Sequence, residues 1–101
     1  MAKGYWIGRV DVTNPEAYQA YVRGNGPVFA RYGARFLVRG GPHEAVEGEA
    51  RSRNVVIEFP DYEQALACWR DAEYQSVKRL RDGHCVAEIV VVQGYDGPQP
   101  A

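Results

Sequence analysis

Four stretches of the chain alternate between two sets of side chains with the period of two that a β-strand imposes. From Asn54 to Phe59, one parity holds Val55, Ile57 and Phe59, and the other Asn54, Val56 and Glu58. From Ala34 to Arg39, one parity holds Ala34, Phe36 and Val38, and the other Arg35, Leu37 and Arg39. Lys3 to Val12 and Cys85 to Gln93 behave in the same way. One face of the implied sheet is therefore apolar: Trp6, Val10, Phe36, Val38, Val55, Ile57, Phe59, Ala87, Ile89 and Val91. The other mixes Ile7, Leu37, Val56, Val86 and Val90 with Tyr5, Arg9, Arg35, Arg39, Glu58 and Glu88. A face wetted along its whole length has no need of that apolar content. A face that meets a second subunit or lines a pocket does.

Between the strands the spacing lengthens to that of a helix. Asn14 is a capping residue and Pro15 suits the first helical position. Tyr18, Tyr21 and Val22 then recur on one side. Gly24-Asn25-Gly26-Pro27 predicts a kink or break. Val28, Phe29 and Tyr32 resume the pattern, and Gly33 stops it. Gly40-Gly41-Pro42 predicts a turn or bulge, His43 to Glu47 a weak extended segment, and Glu49 to Arg53 a polar loop. Asp61 caps a second helix with Tyr62, Ala65, Leu66 and Trp69 inward. Asp71 caps a further helical piece carrying Tyr74, Val77 and Leu80, ended by Gly83.

The order is β-α-β-β-α-β, the ferredoxin-like arrangement of an α+β fold, with an antiparallel sheet and both helices on one face. The helices cannot reach the second face. Leaving Ile7, Leu37, Val56, Val86 and Val90 in water forgoes roughly 1.5–3 kcal/mol for each side chain that could be fully buried. A homodimer packed sheet face to sheet face is the expected solution.

At 101 residues the chain is one domain. Residues 1–94 form the folded part, and residues 95–101 a Pro- and Gly-rich irregular tail. A net charge of −1 gives no electrostatic case for nucleic acid or an anionic membrane. The charge is uneven: Arg23 to Arg53 holds six Arg and three Glu, a local excess of positive charge suited to an acidic ligand. No apolar run approaches membrane length, and the first residues lack a secretory pattern. Cys68 and Cys85 then read as reduced buried thiols of a cytoplasmic protein.

Lys3-Gly4-Tyr5-Trp6-Ile7, Asn14-Pro15-Glu16-Ala17-Tyr18, Tyr32-Gly33-Ala34-Arg35-Phe36-Leu37-Val38-Arg39-Gly40-Gly41, Asn54-Val55-Val56-Ile57-Glu58-Phe59-Pro60 and Glu73-Tyr74-Gln75 together resemble the DUF1330 family. These are bacterial proteins of unassigned function, and the resemblance covers nearly the whole chain. It implies the dimeric α+β barrel superfamily, which also holds small monooxygenases of antibiotic biosynthesis, haem-degrading enzymes and muconolactone isomerases. The family brings no catalytic residues to transfer. Gly24-Asn25-Gly26-Pro27 departs from the small helix formers expected there.

Candidate chemistry comes from the residues themselves. Glu58 and Glu88 are read as carboxylates on adjacent inner strands, where a drier setting raises a carboxyl pKa toward general-base use. The structural alternative pairs Glu58 with Arg39, Arg35 or Arg9. Arg39, beside Gly40-Gly41, suits bidentate binding of a carboxylate. Tyr18 and Tyr74 are phenols suited to a cavity rim. His43 is the better placed histidine. The expected site is a cleft between sheet and helices, with Glu58, His43 and Tyr74 in catalytic roles and Arg39, Arg35 and Tyr18 binding ligand. No metal-ligand spacing and no cofactor motif occurs. The leading expectation is a cofactor-independent enzyme of oxygenase or isomerase type acting on a small organic acid or aromatic metabolite. A non-catalytic small-molecule-binding module and a purely structural dimer are the alternatives.

Overall fold

A computed structural model describes residues 2–101. The strands are β1 (Gly4–Val12), β2 (Arg35–Arg39), β3 (Arg53–Phe59) and β4 (Cys85–Gln93). The helices are α1 (Pro15–Arg31), α2 (Tyr62–Arg70) and α3 (Ala72–Lys78), the last continued by a 3-10 turn, Arg79–Arg81. The sheet is antiparallel throughout, in the order β2-β3-β1-β4. That is the ferredoxin-like order of an α+β fold.

The starts of the helices follow from local chemistry. Asn14 Oδ1 accepts from the Ala17 N–H at 3.2 Å. Asp61 Oδ1 accepts from Gln64 N–H at 2.8 Å. Asp71 Oδ1 accepts from the N–H groups of Glu73 and Tyr74 at 2.8 and 3.1 Å. Each satisfies donors that a helix start leaves without intrahelical partners. Gly33 and Gly83, at the ends of the helical runs, take the left-handed backbone with φ of 69° and 76°.

Trp6 is the centre of the core. Its ring lies 5.2 Å from Phe29 of α1, 5.3 Å from Phe59 of β3, 5.5 Å from Trp69 of α2 and 5.0 Å from Tyr74 of α3. Its indole N–H donates to the Ala65 carbonyl at 2.8 Å. One side chain thus touches all three helices and the neighbouring strand. Cys68, also fully buried, has its thiol pKa pushed up to about 12 by burial and is inert at neutral pH.

Several expectations are corrected. Helix α1 runs unbroken through Gly24-Asn25-Gly26-Pro27. Packing holds the stretch helical: a Cβ on Gly24 would lie 2.9 Å from Val77 Cγ1, and Val28 and Phe29 beyond it are buried. Tertiary contact overrides the weak local propensity. Strand β2 carries a bulge. Phe36 faces Ile57, but Val38 faces Val56 and Arg39 faces Val55. The extra residue reverses the parity. Val38 is therefore on the open face, 42% exposed, while Arg39 turns to the helix side with its guanidinium 4.1 Å from the Phe36 ring centre. Glu58 and Glu88 are not on adjacent strands, because β1 lies between β3 and β4. His43 to Glu47 is irregular rather than extended, and His84 sits in the turn before β4.

The open face keeps Ile7, Leu37, Val38, Val86, Val90 and Val92 exposed by 39–53%. The loop after β2 folds back to this sheet. Arg51 pairs with Asp11 at 2.8 Å and with Glu88, while Ser52 N–H donates to Asp11. No described helix is long and apolar enough to cross a membrane.

Replacing Trp6 by Ala is expected to cost about 3–5 kcal/mol in urea unfolding, the range for large aromatic truncations in a core. Asp71 gives a pH test. The Tyr32 hydroxyl, then the Tyr74 N–H, hold its carboxyl below the usual value. A lowered folded-state pKa stabilises above the unfolded value of about 4, and that stability is lost as pH falls through the folded value. Tyr32→Phe removes the largest cause, so the variant is expected to lose less stability than the parent between neutral and strongly acidic pH. An unchanged acid limb in chemical denaturation would contradict this.

Candidate functional site

The space between sheet and helices is built around four side chains. Tyr18 and Tyr21 sit one helical turn apart on the buried side of α1, with ring centres 5.4 Å apart. The Arg81 guanidinium lies 4.9 Å from the Tyr21 ring centre, and the Arg53 guanidinium 5.7 Å from that of Tyr18. An arginine therefore covers each end of a tyrosine pair, an arrangement that uses the attraction of a cation for an aromatic ring. The Tyr21 hydroxyl shares a 2.7 Å hydrogen bond with that of Tyr74, which is fully buried.

Arg81 is only 6% exposed. One of its N–H groups donates to Cys85 Sγ at 3.5 Å. None of the ion pairs among the described residues involves it. A buried cation without a carboxylate is costly unless something else meets it. Burial works against its charge, Tyr21, Tyr74 and Cys85 favour it, and the guanidinium pKa stands above its ordinary value. Arg81 lines an open cavity of about 400 Å³ with Trp69, Lys78, Asp82, Cys85 and Ile89. Asp82 is the one carboxylate on that lining, 3.7 Å from the Lys78 ammonium.

Two smaller cavities of about 40 Å³ each lie deeper. Both are lined by Tyr18, Tyr21, Val55 and Ile57. One extends past Trp6, Gly8, Val10 and Ile89. The other extends past Asn25, Phe29, Phe36, Arg39 and Arg53. Asn25 Oδ1 and Arg53 Nε are buried there without hydrogen-bond partners. Orphaned groups of this kind cost about 1–3 kcal/mol each.

Burial, followed by the neighbouring Tyr21, raises the pKa of both Tyr18 and Tyr74 above the usual phenol value. Both are protonated at neutral pH, so they serve as hydrogen-bond or proton donors rather than bases. The larger cavity can hold an anion against the Arg81 guanidinium and stack a planar group on Trp69, while Tyr18 and Tyr21 line the two smaller cavities.

The residues singled out from sequence divide into two groups. Tyr18, Arg39 and Tyr74 belong to the gap, although Tyr74 is core beneath Tyr21 rather than rim, and Arg39 reaches it only through the bulge. Glu58 and Arg35 face each other across β3 and β2 on the open face. Glu58 there accepts a long, 3.4 Å hydrogen bond from the Tyr5 hydroxyl. His43 is exposed in the loop, its Nδ1 3.4 Å from the Gly41 carbonyl. The expected single rim of Arg39, His43, Glu58 and Tyr74 is not assembled. Arg81, Arg53 and Asn25 were missed, and each carried a signal. Arg53 shares the parity of Val55, Ile57 and Phe59. Asn25 lies at i+7 from Tyr18 and i+4 from Tyr21, and Arg81 at i+7 from Tyr74 and i+4 from Val77. A polar residue on an apolar stripe is the informative kind. Among the described residues, no group of three or more His, Cys, Asp or Glu side chains could hold a metal ion.

The four-stranded antiparallel sheet under three helices defines the class, an α+β protein of ferredoxin-like topology. Residues 3–95 match the family described as Domain of unknown function (DUF1330), and the chain belongs to that family. The fold is shared with a Rhodopseudomonas palustris protein of unknown function, at a TM-score of 0.76 and 21% identity over 95% of this chain and 85% of that one. It is shared also with SnoaB, a cofactor-independent oxygenase from Streptomyces nogalater, at a TM-score of 0.62 and 12% identity over 99% and 97% of the two chains. A hypothetical Arabidopsis thaliana protein aligns at a TM-score of 0.65 and 11% identity, over 99% and 90%. At these identities the likeness is one of fold. No curated protein sequence matches the chain.

The tyrosine pair is testable by a double-mutant cycle. Tyr21→Phe or Tyr74→Phe alone is expected to cost about 1–3 kcal/mol, because each leaves a hydroxyl unpaired. The double variant should cost less than the two together. Strict additivity in denaturant unfolding would mean that the hydroxyls are not coupled.

Proposed function

We propose that this protein binds a small carboxylic acid, aromatic by preference, in the gap between sheet and helices and acts on it without a bound cofactor, as an oxygenase or isomerase type of enzyme. The observation that carries this reading is Arg81: a buried guanidinium without a carboxylate, flanked by Tyr21 and facing a cavity of about 400 Å³. A ligand carboxylate would supply the missing counter-charge. The ring of such a ligand would stack on Trp69 or the tyrosines. Protonated Tyr18 and the Tyr21–Tyr74 pair would stabilise an enolate or phenolate as it forms. The fold shared with a cofactor-independent oxygenase is consistent with this chemistry.

A second reading, a binding module without turnover, draws support from the same lining. The gap offers donors and cations, but its one carboxylate, Asp82, is tied to Lys78. Catalysis requires Asp82 or the substrate itself to accept a proton.

The partner proposed for the open face is a second copy of the chain. Its exposed apolar residues alternate with Arg35, Glu58 and Arg9, so two such faces can bury aliphatic groups while matching charges. In that assembly Glu58 and Arg35 serve the interface rather than the chemistry.

Titration with benzoate followed by calorimetry tests the site. Wild-type protein is expected to bind, and Arg81→Met to lose at least about tenfold in affinity, the value of a charged hydrogen bond. Equal binding by the two proteins would place the acid elsewhere. Light scattering tests the interface. The parent should run at about twice the 11.3 kDa chain mass, and Val90→Glu at about the chain mass itself. A monomeric parent would overturn the dimer.

A further inference from the structure

The orphaned atoms of the inner cavity call for a specific ligand group. Asn25 is 5% exposed, and its Oδ1 is an acceptor without a donor. Arg53 Nε is a donor without an acceptor, and it lines the same cavity of about 40 Å³. Neither placement is accidental in its supports. Asn25 sits in the weakest helical stretch of α1, held there because Gly24 lets the helix close on Val77. Arg53 lies beneath Gly40, where a Cβ would fall 2.5 Å from its Nη1. A glycine with φ of 70° leaves the guanidinium room.

A hydroxyl has the chemistry to serve both atoms. A hydroxyl accepts from Arg53 Nε–H and donates to Asn25 Oδ1 at once. A carboxylate can only accept and would leave Asn25 unmet. The cavity has room for about one such group, a volume sufficient for a water-sized occupant. Its other walls include Tyr18, Phe29, Phe36 and Val55, which suit the edge of a ring, and Arg39. Tyr18 and Tyr21 line both this cavity and its neighbour, and Arg81 stands beyond Tyr21.

We infer that Asn25 and Arg53 form an inner subsite that binds a ligand hydroxyl, so the acid taken by the gap is a hydroxylated one, of the hydroxybenzoate class. The inference rests on the reading of the gap as a ligand site. Arg81 holds the carboxylate, and the hydroxyl enters the inner cavity between Tyr18 and β3. The subsite then selects among acids by hydrogen bonding. A site with buried polar groups discriminates strongly against an analogue that leaves them unpaired.

The test compares benzoate with 3-hydroxybenzoate and 4-hydroxybenzoate on the full chain, by calorimetry and by nuclear magnetic resonance of the Asn25 side-chain amide. At least one hydroxy acid is expected to bind about tenfold or more tightly than benzoate and to shift the Asn25 amide signal. Asn25→Leu and Arg53→Met should each abolish that preference for the hydroxy acid over benzoate. Benzoate binding that depends on Arg81, with no gain from either hydroxyl, would overturn the subsite and leave the proposed function standing. A hydroxyl preference that survives both variants would likewise overturn it. Failure of all three acids to bind at millimolar concentration would overturn the subsite and the proposed function together. The comparison of ligands on the parent protein stands even where a variant fails to fold.

Discussion

The buried indole of Trp6 is the contact on which the rest of the structure depends. A small sheet with helices on one face must close three short helices over one apolar surface. Trp6 does this from the middle strand, meeting Phe29, Trp69 and Tyr74 on three different helices and donating its N–H to Ala65. The same ring is a wall of one inner cavity. Fold and candidate site are therefore not separable here. The side chain that fixes the helix positions also fixes the floor of the gap.

What the gap offers follows from where its charges are buried. Arg81 and Arg53 bracket Tyr21 and Tyr18, and neither guanidinium end of that row is closed by a carboxylate in the gap. The arginines that do pair with carboxylates lie at the periphery, Arg31 with Asp71 and Glu73 and Arg51 with Asp11 and Glu88. Those exposed pairs contribute little to stability. Buried Arg81 and half-buried Arg53 are the ones with something left to bind. Burial keeps Tyr18 and Tyr74 protonated, so the row presents positive charge and O–H donors together. That is the electrostatic character suited to an acid whose negative charge is held or redistributed.

Much of the fold was legible because its determinants are local. Asn14, Asp61 and Asp71 cap by their own side chains, and strict alternation in β1, β3 and β4 named the helix-facing residues correctly. Legibility ended where a three-dimensional contact decides. Nothing within Phe36-Leu37-Val38 encodes a bulge, yet one extra residue moved Val38 outward and brought Arg39 to the helix side. Gly24 to Pro27 reads as a break, yet Val77 and the buried Val28 and Phe29 hold it helical. The candidate site suffered twice from this. Reading α1 as broken hid Asn25 from the Tyr18 and Tyr21 stripe. Beginning the third strand at Asn54 hid Arg53, whose parity is that of the core. Parity put Glu58 and Arg35 on the face away from the helices, and His43 was read into the loop after Gly41; the structure has all three there, which keeps them from a cleft on the helix side.

A crystal structure of the protein soaked with benzoate tests the central claim most directly, namely that the gap between sheet and helices is the ligand site. The expected result is a benzoate carboxylate within hydrogen-bonding distance of Arg81, with its ring against Trp69 or the tyrosine pair. A benzoate held by Arg35 or Arg9 on the open sheet face, with the Arg81 cavity closed by its own side chains, would contradict the account.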